Sequence, residues 1–332
     1  MDIIAEIAQS HDGSLGIAHS YIDALSKTGV TTIKFQTHIA EAESSKYEDF
    51  RVNFSYEDKT RFDYWKRMEF STEDWVGLKK HCEEKNIEFL SSPFSNKAVE
   101  LLEKIGVKRY KIGSGEVNNF LMIERICKTK KPILLSSGMS SYSELDNVVS
   151  FIKNFGNELS LFQCTTSYPS KSGEWGLQLI PDFIDRYNLP IGFSDHSGEI
   201  YASLAAVSLG ASLVEFHAVF DKEMFGPDSK SSLSISQIKD LTKGIYEIRN
   251  DLKKYYNLKN DNSKFKKLKN IFEKSLTVNK DLKNNHTIKF CDLDTKKPSD
   301  KGIPASDFKA VIGKKLKKGL KKWDFINYTD LK

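Results

Sequence analysis

The chain has 332 residues, of which 39% are hydrophobic and 29% charged, and its formal net charge at pH 7 is +5. This length exceeds that of a typical single domain, so we expect one large domain and one small one. The modest charge does not indicate a nucleic-acid partner, and no run of about 18 apolar residues predicts a membrane span. The apolar run Ile3-Ile4-Ala5 follows the start directly, without a signal-peptide pattern. Four cysteines without paired spacing lead us to expect a reducing, cytoplasmic compartment.

The first 250 residues alternate strand-like and helix-like segments. The predicted strands are residues 2–8, 31–36, 88–92, 109–113, 133–136, 159–163, 191–194 and 213–217. The predicted helices are residues 15–27, 72–85, 96–105, 118–129, 142–155, 181–187, 199–209 and 235–250. Eight strands alternating with eight helices predict a (β/α)8 TIM barrel rather than an open doubly wound sheet. No Gly-x-Gly-x-x-Gly follows the first strand, which disfavours a dinucleotide fold.

The remaining segments are two long connections and a lysine-rich C-terminal part. Residues 38–71 and 165–177 follow the second and sixth predicted strands and are rich in aromatic residues, and long loops at such positions lie on the catalytic face of a barrel. We predict a catalytic barrel over residues 1–252, a polar linker over 253–270 and a small β-rich domain over 271–332. The lysine run 314–322 lacks interleaved aromatic residues, so we expect a solvated surface and no nucleic-acid partner.

The ends of the predicted strands carry two lysines, several hydroxyl side chains and glycine turns. Lysine supplies point charge, and hydroxyl groups supply directed donors to phosphate or carboxylate oxygens, so the set predicts an anion-binding cradle. Glu6 ends the first strand and is a candidate general acid or base, or alternatively a charged partner of one of the lysines. The cradle residues are Lys34, Ser92, Lys111, Ser114, Ser136, Thr166 and Ser194, and Gln36 also lies at the end of the second strand.

Two histidines, His196 and His217, follow consecutive predicted strands that a helix connects. Adjacent parallel strands lie about 4.8 Å apart, so the two rings can converge on one metal ion. Two imidazoles leave coordination positions open for water and substrate, as a Lewis-acid site requires. A structural role for both rings is an equal alternative on the residues alone. Asp195 and Glu215 flank the histidines and are predicted to orient their ring nitrogens.

Short motifs occur along nearly the whole chain. They are Ala5-Glu6-Ile7 with His11-Asp12-Gly13, Lys34-Phe35-Gln36-Thr37, Ser92-Pro93-Phe94, Tyr110-Lys111-Ile112-Gly113-Ser114-Gly115-Glu116, Leu135-Ser136-Ser137-Gly138-Met139, Ser194-Asp195-His196 and Gly226-Pro227-Asp228. In kind and order, these motifs resemble those of the sialic acid synthase family, which makes nine-carbon nonulosonic acids. The C-terminal segment resembles the small antifreeze-like (SAF) domain of that family. The resemblance therefore implies a TIM barrel followed by a small β-rich SAF domain.

The resemblance implies a condensation of phosphoenolpyruvate with an N-acetylmannosamine-type aldehyde sugar and water, giving an N-acetylneuraminate-type product and phosphate. It implies a divalent metal on His196 and His217, namely manganese with magnesium or cobalt as alternatives, and makes Glu6 an acid or base near that metal. It also implies a domain-swapped homodimer in which the small domain of one chain caps the barrel of the other. The phosphoenolpyruvate oxyanions would bind Lys34, Ser92, Lys111, Ser114, Ser136 and Ser194, and the sugar would lie near Thr166, Tyr168, Asp228 and Lys297.

Three positions depart from the family pattern. Thr166 replaces a common asparagine, Lys297 replaces an arginine that contacts the acyl-sugar, and Ser229 replaces a histidine of many sialic acid synthases. Lysine cannot reproduce a bidentate guanidinium contact, so a legionaminic or pseudaminic acid synthase acting on a 2,4-diacetamido hexose is an alternative. Two further alternatives are a phosphoenolpyruvate-condensing enzyme for a phosphorylated sugar, which would need a cationic site that the strand ends lack, and a non-catalytic carbohydrate-binding protein.

Overall fold

A computed structural model of the chain describes residues 1–52, 54–254 and 259–332. The chain divides into a first compact unit, Met1–Lys254, and a second unit that follows it and ends at Lys332. No helix in the described ranges combines the length and the hydropathy needed to cross a membrane.

Eight parallel strands of the described chain form the centre of the first unit. Their order in the sheet starts at the third strand and runs through the second, first, eighth, seventh, sixth and fifth to the fourth. The third and fourth strands also lie side by side, so the sheet is nearly closed. This arrangement is the predicted (β/α)8 barrel. The strands are β1 (Asp2–Glu6), β2 (Thr32–Thr37), β3 (Glu88–Pro93), β4 (Tyr110–Ile112), β5 (Ile133–Ser136), β6 (Leu159–Cys164), β7 (Ile191–Asp195) and β8 (Leu213–Val219), and the short β9 (Leu233–Ser234) pairs with β8.

The helices of the first unit connect these strands. They are α1 (Leu15–Leu25), α2 (Ala40–Glu43), α3 (Arg61–Met68), α4 (Thr72–Glu84), α5 (Asn96–Ile105), α6 (Phe120–Lys128), α7 (Tyr142–Phe155), α8 (Leu179–Tyr187), α9 (Tyr201–Ser208) and α10 (Ile235–Lys253). Ser71, Ser141 and Ser234 form capping boxes that start α4, α7 and α10. The predicted helices agree to within a few residues, but α2 and α3 lie in the segment predicted as a long loop. Its aromatic residues pack around Tyr64, Trp65 and Met68, which orders the segment.

Alternation along the strands explains why the barrel has an apolar base and a polar end. Successive side chains of a strand point to opposite faces, so every second residue points into the barrel. An apolar layer inside the barrel consists of Ile4, Leu90, Leu134, Phe162 and Leu213. Two residues further along the same strands come Glu6, Ser92, Ser136, Cys164 and Glu215, all of them buried. The polar end of the barrel therefore begins one inward-facing layer above the apolar base.

The second unit has its own apolar core and little regular secondary structure. Its elements are α11 (Lys266–Phe272), β10 (Ser275–Val278), β11 (Leu293–Lys296) and α12 (Phe308–Val311). β10 and β11 pair in antiparallel fashion, and isolated bridges such as Leu282–Leu320 join other extended segments. Leu276, Val278, Ile288 and Ile326 lie in the core. Because α11 begins inside the predicted linker, that segment is partly helical; the domain boundaries and the SAF likeness stay predictions.

Candidate active site

A cavity of about 410 Å³ lies at the C-terminal ends of the barrel strands. Part of its wall comes from strand ends and part from the segment between β2 and α4. We call Lys34, Lys111, Ser194 and Glu215 the floor of the cavity, and Glu43, Glu48, Arg51, Arg61 and Trp65 its rim. The predicted residues that line the cavity are Lys34, Ser92, Lys111, Ser114, Ser136, Thr166, Tyr168, Ser194, His196, His217 and Asp228.

Two predicted site residues lie outside this wall. Glu6 is fully buried; its Oε1 accepts a hydrogen bond from the backbone N–H of Ala8 at 2.8 Å, and its Oε2 forms an ion pair with Lys34. Glu6 therefore contacts the cavity through Lys34 and not directly. Lys297 belongs to the second unit, where its ammonium lies 5.1 Å from the ring centroid of Phe272. The functional roles of both residues remain predictions.

The floor is a buried cluster of charges. Lys111 Nζ donates to Glu215 Oε1 at 2.8 Å, Ser194 Oγ donates to the same oxygen at 3.0 Å, and Lys34 Nζ lies 3.9 Å from Glu215 Oε2. Burial alone would raise the pKa of Glu215, but Lys111 and Lys34 outweigh burial and hold this pKa at about 2. Burial lowers the pKa of Lys34 to about 7, against the attraction of Glu215. The ion pair with Glu6 also favours the ammonium form of Lys34.

The two carboxylates predicted to orient the histidine rings have other partners. Glu215 binds the floor lysines. Asp195 accepts hydrogen bonds from the backbone N–H of Ser197 at 2.8 Å and from the hydroxyl of Ser203 at 2.7 Å. The prediction that Asp195 and Glu215 orient the rings is wrong. For Asp195 it failed because adjacent strand positions point to opposite faces, so Asp195 does not share the face of His196. Glu215 does share the inward face with His217, but Lys111 and Ser194 bind its carboxylate instead.

The rings of His196 and His217 lie next to each other, with centroids 5.3 Å apart. His196 Nδ1 donates to the backbone carbonyl of Thr165 at 2.9 Å, which leaves the lone pair on its Nε2. Tyr168 stacks on the ring of His196 with a centroid distance of 4.1 Å. A backbone carbonyl and an aromatic ring therefore fix the orientation of His196, and this nitrogen lone pair is the one suited to bind a ligand.

His217 has the properties of a neutral ligand side chain. Burial lowers the pKa of His217 to about 3, and its buried Nδ1 has no hydrogen-bond partner among the residues that the structure describes; the nearest of their carboxylate oxygens, Asp228 Oδ2, is 3.9 Å away. A buried polar atom without a partner is costly unless a ligand binds it. Among the described residues, no group of three His, Cys, Asp or Glu side chains is placed to hold a metal. The pair therefore fits an open site, in which water and substrate complete the coordination of an ion.

Gly138 allows two predicted hydroxyl groups to approach each other. A Cβ atom at this position would clash with Ser114 Oγ and Thr166 Oγ1. Only glycine leaves this space free. The loops after β4, β5 and β6 can therefore meet in one wall, with Ser114 and Thr166 both beside the space that a side chain at Gly138 would occupy.

Arg51 is a cavity residue that sequence reasoning missed. Its guanidinium donates to Asp228 Oδ1 at 2.8 Å and lies 4.2 Å from the ring centroid of Tyr168. Arg51 thus connects two residues predicted to lie near the sugar. It comes from the segment between β2 and α4, not from a strand end. The only sequence signal there was the richness of the segment in aromatic residues.

An eight-stranded parallel barrel with lysines, hydroxyl groups and a histidine pair at the strand ends defines a TIM-barrel protein with a polar, charged cavity at the C-terminal ends of its strands. Residues 21–256 match the NeuB family. The chain belongs to the NeuB family.

Named relatives and a solved structure agree with this assignment. The chain is 32% identical over 330 residues to N,N'-diacetyllegionaminic acid synthase of Campylobacter jejuni. The aligned region covers 98% of this chain and 98% of the relative. It is 32% identical to N-acetylneuraminate-9-phosphate synthase of Homo sapiens over 73% of this chain and 68% of the relative. The crystal structure of N-acetylneuraminic acid (sialic acid) synthetase from Leptospira borgpetersenii in complex with citrate has a TM-score of 0.71 and 30% identity, over 80% of this chain and 89% of that one. These findings confirm the family that the motifs indicated.

Proposed function

We propose that the chain is a nonulosonic (sialic) acid synthase that condenses phosphoenolpyruvate with an N-acetylmannosamine-type aldehyde sugar and water. C3 of the enolpyruvate forms a bond to the aldehyde carbon, and the aldehyde oxygen takes up a proton. Water adds to C2, and the C2–O bond breaks to release phosphate. The observation that supports this proposal is a single cavity that combines the two floor lysines, the strand-end hydroxyl groups and the histidine pair.

The floor supplies the contacts for an anionic substrate. Lys34 and Lys111 provide positive charge, and the hydroxyl groups provide directed donors to carboxylate or phosphate oxygens. Because Glu6 and Glu215 pair with these lysines, the floor alone carries little net charge. These hydroxyl groups belong to Ser92, Ser114, Ser136 and Ser194.

We propose that His196 and His217 hold a divalent cation, namely manganese with magnesium or cobalt as alternatives. Such an ion would polarise the aldehyde oxygen or a water molecule and add positive charge beside the paired floor. Glu6, in contact with Lys34, is the proposed acid or base. Burial keeps His217 neutral, as a ligand must be.

The identity of the sugar is the less determined part of the proposal. The 32% identity with a legionaminic acid synthase over 98% of both chains supports a 2,4-diacetamido hexose as an alternative to N-acetylmannosamine. Thr166, Tyr168 and Asp228 line the cavity where such a sugar would bind. The resemblance supports a domain-swapped homodimer with Lys297 facing the sugar, and sedimentation of the purified chain would test the dimer.

The rim argues against a phosphorylated sugar. It brings Arg51 and Arg61 into the cavity wall, which the strand ends did not predict. Both arginines are already paired: Arg51 with Asp228 at 2.8 Å, and Arg61 with Glu48 at 3.3 Å. A phosphate would therefore have to compete with carboxylates for each cation. This charge balance supports an uncharged, hydroxyl-rich sugar.

Release of phosphate tests the proposal. Purified protein with Mn²⁺, phosphoenolpyruvate and either N-acetylmannosamine or a 2,4-diacetamido hexose should release phosphate only when both substrates are present. A screen of acyl-hexosamines then identifies the preferred sugar. No release with any of these sugars would refute the proposal. Sugar binding that survives metal removal without phosphate release would instead favour a carbohydrate-binding protein.

A further inference from the structure

His38 is a cavity-lining histidine that the proposed reaction does not use. Its ring lies between Trp65 and Phe94, with centroid distances of 3.8 and 4.6 Å and interplanar angles of 17° and 14°. Only 3% of its side chain is exposed. Stacking on both faces fixes the plane of the ring, so its two nitrogens point in set directions.

The partners of His38 determine which nitrogen carries the hydrogen. His38 Nδ1 lies 2.7 Å from Glu43 Oε1. An ionised carboxylate can only accept, so Nδ1 is the donor, and in the neutral ring Nε2 is then the acceptor. Gln9 Nε2 lies 3.0 Å from this Nε2 and donates to it, and Gln36 Oε1 lies 3.2 Å from the same ring nitrogen, so His38 also contacts the Gln36 amide directly. A directed chain of hydrogen bonds therefore runs from Gln9 through His38 to Glu43.

The same amide nitrogen of Gln9 continues the chain to the cavity. Gln9 Nε2 also donates to Gln36 Oε1, so the carbonyl oxygen of Gln36 is turned toward the chain of hydrogen bonds. Gln36 lines the cavity, and its Nε2 has no protein partner in the part of the chain that the structure describes. Gln36 therefore presents two N–H donors to the cavity and no free acceptor from its carbonyl.

We propose that Gln9, His38 and Glu43 are positioning residues that hold the Gln36 amide with its N–H donors toward the cavity, where they bind an acceptor oxygen of the sugar. The identity of this ligand rests on the proposed function. The acceptor would be a hydroxyl or acyl carbonyl oxygen. A glutamine that is free to rotate could offer either the oxygen or the nitrogen of its amide to a ligand. Gln36 offers only N–H donors. The four residues therefore select a sugar that has an acceptor oxygen opposite the Gln36 amide.

A comparison of the KM values for the two substrates tests this positioning role. His38→Phe keeps a ring between Trp65 and Phe94 and removes the ring nitrogens that contact Gln9, Gln36 and Glu43. We expect the KM for the acyl-hexosamine to rise about 10-fold, the effect of one lost orienting hydrogen bond, with the KM for phosphoenolpyruvate unchanged. His38→Gln restores an acceptor toward Gln9 and should recover part of the loss. Equal increases in both KM values, or no change in either, would overturn the proposal.

Two further measurements separate this proposal from the proposed function. The ¹⁵N resonances of His38 should show the hydrogen on Nδ1 in the wild type, whatever reaction the protein catalyses; a hydrogen on Nε2 alone would overturn the chain of bonds. Gln36→Glu replaces the donors by acceptors and should raise the KM for the sugar more than His38→Phe does. His81→Phe, a half-buried histidine of α4 outside the cavity wall, should leave both KM values unchanged. If the wild type released no phosphate, the proposed function would fail. The ¹⁵N measurement on His38 would still show whether the chain of hydrogen bonds exists.

Discussion

The floor and the rim of the cavity are built in different ways. The floor consists of inward-facing strand residues, and its charges are buried and paired with one another, as Lys111 and Glu215 are. The rim comes from a segment whose described residues form two short helices, and it is more exposed: 44% of the side chain of Arg51 is accessible, against 2% for Lys111. The floor can therefore fix one anionic substrate rigidly, while the rim can vary to suit a sugar. Substitutions in the two regions should affect different substrates.

The largest expected effect belongs to the histidine pair that lies between these regions. His196→Ala removes one of the two proposed ring ligands, so we expect turnover to fall by at least about 1,000-fold, as for the loss of a Lewis-acid site. The metal content of the purified protein, measured by elemental analysis, should fall with it. His81→Ala deletes a histidine ring outside the cavity wall and should leave activity and metal content unchanged. Full activity of His196→Ala would refute the metal assignment.

The second-largest expected effect comes from a substitution in the floor. Lys111→Met leaves Glu215 buried with Lys34 as its remaining cation, and breaking a buried ion pair costs about 3–5 kcal/mol of unfolding free energy. The KM for phosphoenolpyruvate should rise at least about 100-fold, because a buried charge contact is lost. Denaturant unfolding and steady-state kinetics measure these two quantities.

A second substitution separates the two consequences of Lys111→Met. Adding Glu215→Gln removes the unpaired carboxylate, so it should restore part of the stability but not the affinity for phosphoenolpyruvate. If the double variant recovered that affinity, Lys111 would not be a substrate contact. If Lys111→Met left the KM for phosphoenolpyruvate unchanged, the floor would not be the anion site.

The floor was predictable from the sequence and the rim was not, for a physical reason. Side chains along a strand point alternately to its two faces. The residues two positions after Leu134 and Leu213 could therefore be assigned to the polar end of the barrel from their spacing alone. Arg51 reaches the cavity from the connection between α2 and α3, and its contacts with Tyr168 and Asp228 join segments distant in sequence. The partners of Glu215 were also missed, because the positions of charged residues at the strand ends do not show which of them form ion pairs with one another.

The pH dependence of stability gives a third and smaller test of the floor. Lys111 and Lys34 hold the pKa of Glu215 at about 2, below its ordinary value of 4.5, in spite of burial. Because the folded-state pKa is depressed, the stabilisation by this carboxylate is complete above pH 4.5 and is lost as the pH falls toward 2. The full change corresponds to about 3 kcal/mol.

Denaturant unfolding of the metal-free protein at several pH values would measure this contribution. Glu215→Gln cannot titrate, so its stability should fall less steeply between pH 4.5 and 2 than that of the wild type. His217, whose pKa burial lowers to about 3, adds a loss that begins near pH 6.5 in both proteins. Glu215 is the smallest of the causes that set the pKa of His217, so this loss is similar in the two proteins. Equal slopes for the two proteins would show that Glu215 is not held ionised by the lysines.

The smallest expected effect lies at the rim. Arg51→Met removes the partner of Asp228 and the cation over Tyr168. Both residues line the part of the wall proposed for the sugar, so we expect the KM for the acyl-hexosamine to rise about 10-fold, the effect of one charge-assisted hydrogen bond. The KM for phosphoenolpyruvate should stay within about twofold, since the floor keeps its own charge pairs.

Arg186→Met is a matched control for Arg51→Met. Arg186 also pairs with an aspartate, Asp146, and lies 4.8 Å from the ring centroid of a tyrosine, but on the helical surface outside the cavity wall. Its loss should change neither KM. If Arg51→Met raised the KM for phosphoenolpyruvate as much as that for the sugar, the rim would contribute to the anion site. The division between a floor for phosphoenolpyruvate and a rim for the sugar would then be wrong, because one connected charge network would serve both substrates.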